Sequence, residues 1–226
     1  MIAKAPCRCP GKQRCPSADS RRNYFIRIDR RKTREFEKVL KNQVSPRRYL
    51  DKMPSEEDIR NILDAALLGP VERHKIHITV VTNKKSMEMA EEAAEKVIGS
   101  AMPRPYLYGA PVWIVISGKK YREGDPCAPL HIESMDANMA QRINENLFWM
   151  IGSIIENMCL AATNRGLANC AINTTVVSLL GNTKVKDAVG IPSGYEPLAS
   201  LIVGYPANPI RERAVRPDRI PISYNR

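Results

Sequence analysis

The chain predicts an α+β domain behind a basic N-terminal arm, and three observations lead there. Short β-branched runs of strand length, "IHITVVT" (Ile76 to Thr82) and "PVWIVIS" (Pro111 to Ser117), recur along the sequence. Stretches with helical apolar spacing lie between them. No glycine-rich phosphate loop follows any strand, which argues against a dinucleotide-binding doubly wound sheet. The 226 residues contain 43% apolar side chains, enough for a sizeable core.

The elements follow in chain order. "NYFIRI" (Asn23 to Ile28) reads as a short extended segment. "TREFEKVLKNQ" reads as a helix with Phe36, Val39 and Leu40 on one face, and "SPRRYLDKMP" breaks it through Pro46 and Pro54. In "SEEDIRNILDAALLGP", Ser55 is the expected N-cap, with Asp58 three residues on completing a near-capping box. Glu56, Glu57 and Asp58 suit the positive end of that helix, Ile59, Ile62, Leu63, Ala66 and Leu67 form its expected buried stripe, and Gly69-Pro70 ends it. "SMEMAEEAAEKVIG" predicts a helix with Met87, Ala90, Ala94 and Val97 facing the core. Residues 119–141 form a polar excursion without periodicity, the kind of segment that often covers a site. The longest helix, Ile143 to Gly166, is nearly apolar all round, which places it against more than one neighbour, a subunit interface included. "CAIN" and "LASLIVGYP" are further buried strands.

The net charge of +11 is unevenly spread. Residues 1–48 hold 15 Lys+Arg against 4 Asp+Glu, while the rest of the chain holds 20 of each. The arm, residues 1–34, is therefore basic and cysteine-rich, and the body, 35–226, is nearly balanced, with 24 Lys+Arg against 22 Asp+Glu. Such an arm attracts polyanions. With only Tyr24 and Phe25 as interleaved aromatics, nucleic-acid binding is the weaker reading beside a solvated tail. No apolar run reaches the roughly 18 to 20 residues of a membrane span, and the N-terminus has no apolar signal core. The expectation is a cytoplasmic protein with no membrane association.

Cys7, Cys9 and Cys15 form C-x-C-x5-C, which matches neither zinc-ribbon nor ferredoxin spacing, and no metal ligand set is assigned. Cys159 and Cys170 lie in apolar surroundings and read as small core residues. His77 opens a strand and reads as structural, although His74 stands close by. No nucleophile–base arrangement and no P-loop occurs, so no catalytic side chain is assigned.

Four stretches, in this order, resemble the FMN-dependent nitroreductase family: "SPRRYLDKMPSEEDIRNILDAALLGP", "GAPVWIVIS", "MIGSIIENMCLAATNRGLANCAIN" and "GIPSGYEPLASLIVGYPANPIRERAVRP". The resemblance spans about residues 35–217. It implies a central, mostly antiparallel sheet flanked by helices, an intertwined homodimer, and an FMN in each of two interfacial clefts. It further implies that Arg211 and Arg213, just past the Gly-Tyr-Pro strand end, grip the FMN phosphate, with Arg216 close behind. Guanidinium suits that task through bidentate hydrogen bonds and permanent charge. In "QVSPRRY", the family's Arg-x-Ser-x-(Arg/Lys)-x-aromatic pattern puts Ser45 on the phosphate, Arg47 beside the N1 and O2 edge of the flavin, and Tyr49 at the aromatic position. In "GLANCAINTT", backbone N–H groups at Asn173 and Thr174 are implied to contact flavin N5.

Two departures stand out. Gln43 occupies the family's usual arginine position, and "VERHKIH" replaces a polar Ser-x-x-Asn-x-Gln-Pro-Trp loop. The implied activity is hydride transfer from NAD(P)H through the flavin to a small electron-poor acceptor of the nitroaromatic or quinone type. The flavin carries the difficult step, so no side chain with a shifted pKa is required. Tyr106, Tyr108 and Tyr121 are candidate stacking surfaces near the excursion. Two alternatives stay open: a flavin-free binding protein on the same fold, and a flavoprotein with a metal or iron–sulfur centre in the arm.

Overall fold

The computed structural model describes residues 30–70, 76–102, 104–127 and 130–225. In chain order the elements are α1 (Arg30–Asn42), α2 (Glu56–Leu67), β1 (Ile76–Val81), α3 (Lys84–Ile98), β2 (Val112–Gly118), α4 (Ala137–Asn164), β3 (Ala168–Ile172), α5 (Thr174–Leu179), α6 (Thr183–Val189) and β4 (Glu196–Gly204), with short 3-10 turns at Gly99–Ala101 and Pro217–Arg219. The four strands form one sheet in the order β1-β2-β4-β3, every neighbouring pair antiparallel.

An antiparallel sheet often leaves one face to water. This one is covered on both, which is why "PVWIVIS" is apolar without alternation. Successive residues of β2 and β4 feed opposite cores. Trp113, Val115 and Ile202 meet Met87 and Ala90 of α3, Leu179 of α5 and Val185 and Val189 of α6. Val112, Ile114, Ile116, Leu201 and Val203 meet Ile62 and Ala66 of α2 and the α4 residues Leu147, Ile151, Ile154 and Met158. The result is a three-layer helix–sheet–helix arrangement.

The expected cap of α2 is present. Asp58 N–H donates to the Ser55 hydroxyl oxygen at 3.1 Å, and that hydroxyl donates to the Asp58 carboxylate at 2.7 Å. Arg165 Nε donates to the same carboxylate at 2.6 Å, tying the start of α2 to the end of α4. There Gly166 takes φ +73°, and Leu167 N–H returns to the Ala162 carbonyl at 2.9 Å. A left-handed residue after a helix turns the chain sharply, and glycine adopts it without strain. Here the turn sends the chain directly into β3.

Several expectations need correction. Leu67 and Val97 are 69% and 60% exposed rather than buried, because α2 reaches the core through Ile62 and Ala66, and α3 through Met87, Ala90 and Ala94. Phe36 and Leu40 lie on α1 as expected and are exposed. Helix α4 starts at Ala137, six residues before the expected start, under an Asp136 cap that accepts from Met139 N–H at 2.7 Å. The preceding excursion packs Cys127 and Met135 against Ile143 of α4, and Tyr121 is locked to Asn144 of α4 by reciprocal backbone–side-chain bonds of 2.9 Å. The "NYFIRI" segment, the three arm cysteines and Val71 to Lys75 of the departing loop lie outside the described residues. No helix among the described residues is long and apolar enough to cross a membrane.

Candidate functional site

Two segments far apart in sequence are clamped together next to the end of β4. The linker after α1 runs antiparallel to the chain after β4: Leu50 N–H donates to the Tyr205 carbonyl at 2.9 Å, and Ala207 N–H to the Arg48 carbonyl at 3.1 Å. Tyr49 and Pro206 form an antiparallel bridge between them. Farther along the tail, Arg213 N–H donates to the Lys41 carbonyl at 2.8 Å. The backbone thus brings the "QVSPRRY" motif and the arginine-bearing tail side by side. Gly204 permits the approach, since a Cβ there would lie 2.7 Å from Pro111 Cδ and 3.0 Å from Tyr49 Cδ1.

Within this clamp Arg213 donates from Nη2 to Gln43 Oε1 at 3.2 Å, and Gln43 Nε2 donates to Glu156 of α4 at 3.4 Å. Ser45 and Arg47 are exposed and lie beside Cys170 of β3. Burial pushes the Cys170 thiol up, and the Ser45 hydrogen bond and Arg47 charge partly offset that. The Arg47 guanidinium carbon is 5.9 Å from the Tyr108 ring centroid, within cation–π range. Tyr49 is buried, and its hydroxyl has no hydrogen-bond partner among the described residues. Burial, reinforced by the neighbouring Cys170, Cys159 and Tyr108, pushes that phenol well above its ordinary range. Cys159 is pushed up to about 12 by burial and then by the Glu156 charge, with the Gln43 side chain opposing.

Asn173 is exposed at the exit of β3 and precedes Thr174, the first residue of α5. It makes no side-chain cap, and the first N–H groups of a helix have no partner inside it. Arg211 and Arg216 are exposed on the tail, without a recorded ion pair among the described residues. A cavity of about 670 Å³ between the end of α1 and the tail is lined by Lys41, Arg213, Arg216 and Arg219 against the single carboxylate of Glu212.

The structure therefore sets Ser45 and Arg47 beside Cys170 and Arg47 near Tyr108, with Asn173 three residues beyond Cys170 just past the end of β3, and joins Arg213 to Gln43. It does not tie Arg211 to any of them. Tyr106 is corrected as a stacking surface, being 2% exposed with its hydroxyl donating to the Met102 carbonyl at 3.2 Å. Glu156 and the role of Cys170 as a site neighbour were absent from the sequence reading, and no local motif marks either. His77 packs its ring against Tyr195 at 5.4 Å, as a structural residue would. Among the described residues no group of three His, Cys, Asp or Glu side chains is arranged to hold a metal.

Residues 40–205 match the model of the Nitroreductase family. A protein of Methanothermobacter thermautotrophicus, named as an NADH dehydrogenase/NAD(P)H nitroreductase, is 31% identical over 188 residues, covering 80% of this chain and 83% of that one. A solved nitroreductase with bound FMN from Desulfitobacterium hafniense superposes with a TM-score of 0.64 at 21% identity, over 84% of this chain and 98% of that one. Another with bound FMN, from Bacteroides fragilis, gives 0.61 at 23% identity, over 84% and 99%.

Proposed function

The chain belongs to the nitroreductase family, and from that premise we propose that it is an FMN-dependent oxidoreductase. It takes hydride from NAD(P)H and passes it to a small electron-poor acceptor, nitroaromatic or quinone in type. The observation that supports this reading is the clamp at the end of β4, which brings the segment bearing Ser45 and Arg47 alongside the arginine-bearing tail, with Cys170 of β3 next to Ser45 and Arg47.

The donor set fits a phosphorylated ring cofactor. Arg213 spends one donor on a neutral amide and has no recorded ion pair among the described residues, which leaves guanidinium N–H groups for phosphate. Arg211 adds charge from the same tail, and the Ser45 hydroxyl adds a donor from the facing segment. Arg47 supplies permanent positive charge for a ring system that gains electrons. The Tyr49 hydroxyl is a buried polar atom near these groups with no hydrogen-bond partner among the described residues. Asn173 and Thr174 offer backbone N–H groups. When bound, FMN supplies the hydride chemistry, so this chain's side chains bind and orient and need not exchange protons.

The chain acts as a homodimer in this reading. Phe148 and Trp149 of α4 are 50% and 67% exposed, and Val215, Ile220, Ile222 and Tyr224 of the tail are 70–82% exposed, an apolar surface that a second copy would cover. The visible spectrum of the purified protein tests the function. Two flavin bands, FMN near one per subunit after heat release, and acceptor-dependent NAD(P)H oxidation are expected. A colourless protein that takes up no added FMN refutes it and leaves the flavin-free binding role that Gln43 motivates.

A further inference from the structure

We propose that Gln43 is a positioning residue, holding Arg213 in place without neutralising it, an inference that rests on the flavin reading above. Position 43 is where the family pattern has an arginine, and here the side chain is an amide engaged at both ends. Its Oε1 accepts from Arg213 at 3.2 Å, and its Nε2 donates to Glu156 at 3.4 Å. An arginine only donates and a carboxylate only accepts, so these two partners leave the amide one orientation. The backbone repeats the connection: Gln43 N–H donates to the Val39 carbonyl at 3.0 Å, closing α1, and Arg213 N–H donates to the Lys41 carbonyl at 2.8 Å.

The chemistry of the spacer follows from its neutrality. A carboxylate in direct contact would pair with the guanidinium and occupy its bidentate face. A second guanidinium at position 43 would repel the first. The amide does neither: it passes the orienting influence of Glu156 to Arg213 and keeps the carboxylate one residue away. Arg213 thus retains its full charge and most of its five N–H donors, aimed by two contacts. The phosphate group of the cofactor is the anion this arrangement suits, and Gln43 serves it through Arg213.

Equilibrium binding of FMN and of riboflavin, which lacks the phosphate, separates this role from a general effect on the cleft. The variants are Gln43→Ala, Arg213→Ala and the pair together, followed by flavin fluorescence. Gln43→Ala is expected to weaken FMN roughly tenfold, the scale of one hydrogen bond to a charged group, and to leave riboflavin unchanged. Added to Arg213→Ala, it should cost nothing further. Unchanged riboflavin binding also reports an intact fold. Losses that multiply in the double variant overturn the inference, as does an unchanged preference for FMN over riboflavin in Gln43→Ala. Wild-type protein that binds both flavins equally removes Arg213 as a phosphate ligand and overturns the inference while the flavin reading stands. Wild-type protein that binds neither defeats the flavin reading, and the inference falls with it.

Discussion

Replacing Gly204 by alanine tests whether the site depends on the close approach of its two clamped segments. The added Cβ would sit 2.7 Å from Pro111 Cδ, 3.0 Å from Tyr49 Cδ1 and 3.3 Å from Pro111 Cγ. Carbon atoms rest at about 3.5–4.0 Å, so the worst overlap is about 0.8 Å. Neither neighbour can yield cheaply, because Pro111 is a buried ring and Tyr49 is buried and bridged to Pro206. Overpacking of this kind costs about 1–3 kcal/mol. For a domain of this size each kcal/mol lowers the melting temperature by about 2–4 °C. Thermal unfolding followed by circular dichroism should therefore show a fall of several degrees, with weaker FMN binding because Tyr49 is two residues along the chain from Arg47. Equal melting and equal FMN affinity for Gly204→Ala and wild type would refute the reasoning, since the clamp would then tolerate a full methyl group at its tightest point.

Three further outcomes are expected. The Ser55 hydroxyl and the Arg165 guanidinium hold the Asp58 carboxyl below its ordinary range, against burial, so the stability it contributes is present above the usual aspartate pKa of about 3.9 and is lost as pH falls toward the folded value. Melting temperatures measured between pH 7 and 3 should drop at the acid end, and Asp58→Asn should flatten that part of the profile. Burial raises the thiols of Cys159 and Cys170, so a variant with Cys7, Cys9 and Cys15 changed to serine should react slowly with a thiol reagent at pH 8 when folded and quickly in urea. Phe148→Ser with Trp149→Ser should shift the sedimentation equilibrium from dimer toward monomer, because those side chains are half or more exposed on a single chain.

The parts of the fold that could be read in advance are those whose burial follows from local pattern. All seven residues of β2 are buried, so its uninterrupted apolar run and its core position are one fact stated twice. Ser55 and Asp58 announce the start of α2 because capping is a contact between residues three apart. Helices α5 and α6 left no such trace. They are six and seven residues long, too short for a helical period to repeat, and Thr174, Thr175, Val176 and Val177 are residues that favour strands. Exposure of Leu67 and Val97 was equally hidden, since a helical stripe states which residues share a face and not how far the neighbouring helix extends along it.

The site was legible only as two separate motifs, for a physical reason. What joins them is backbone pairing between residues 48–50 and 205–207, and pairing belongs to both partners at once. Neither segment has the length or alternation of a strand, so neither advertises the other. The same holds for Gln43. In sequence it is a missing arginine, because its partners Arg213 and Glu156 are 170 and 113 residues away. With those partners in place it becomes a neutral link between a carboxylate and a guanidinium, and the missing charge then spares Arg213 a like-charged neighbour at that contact. A substitution that reads as a lost contact along the chain can thus be a gained constraint in space.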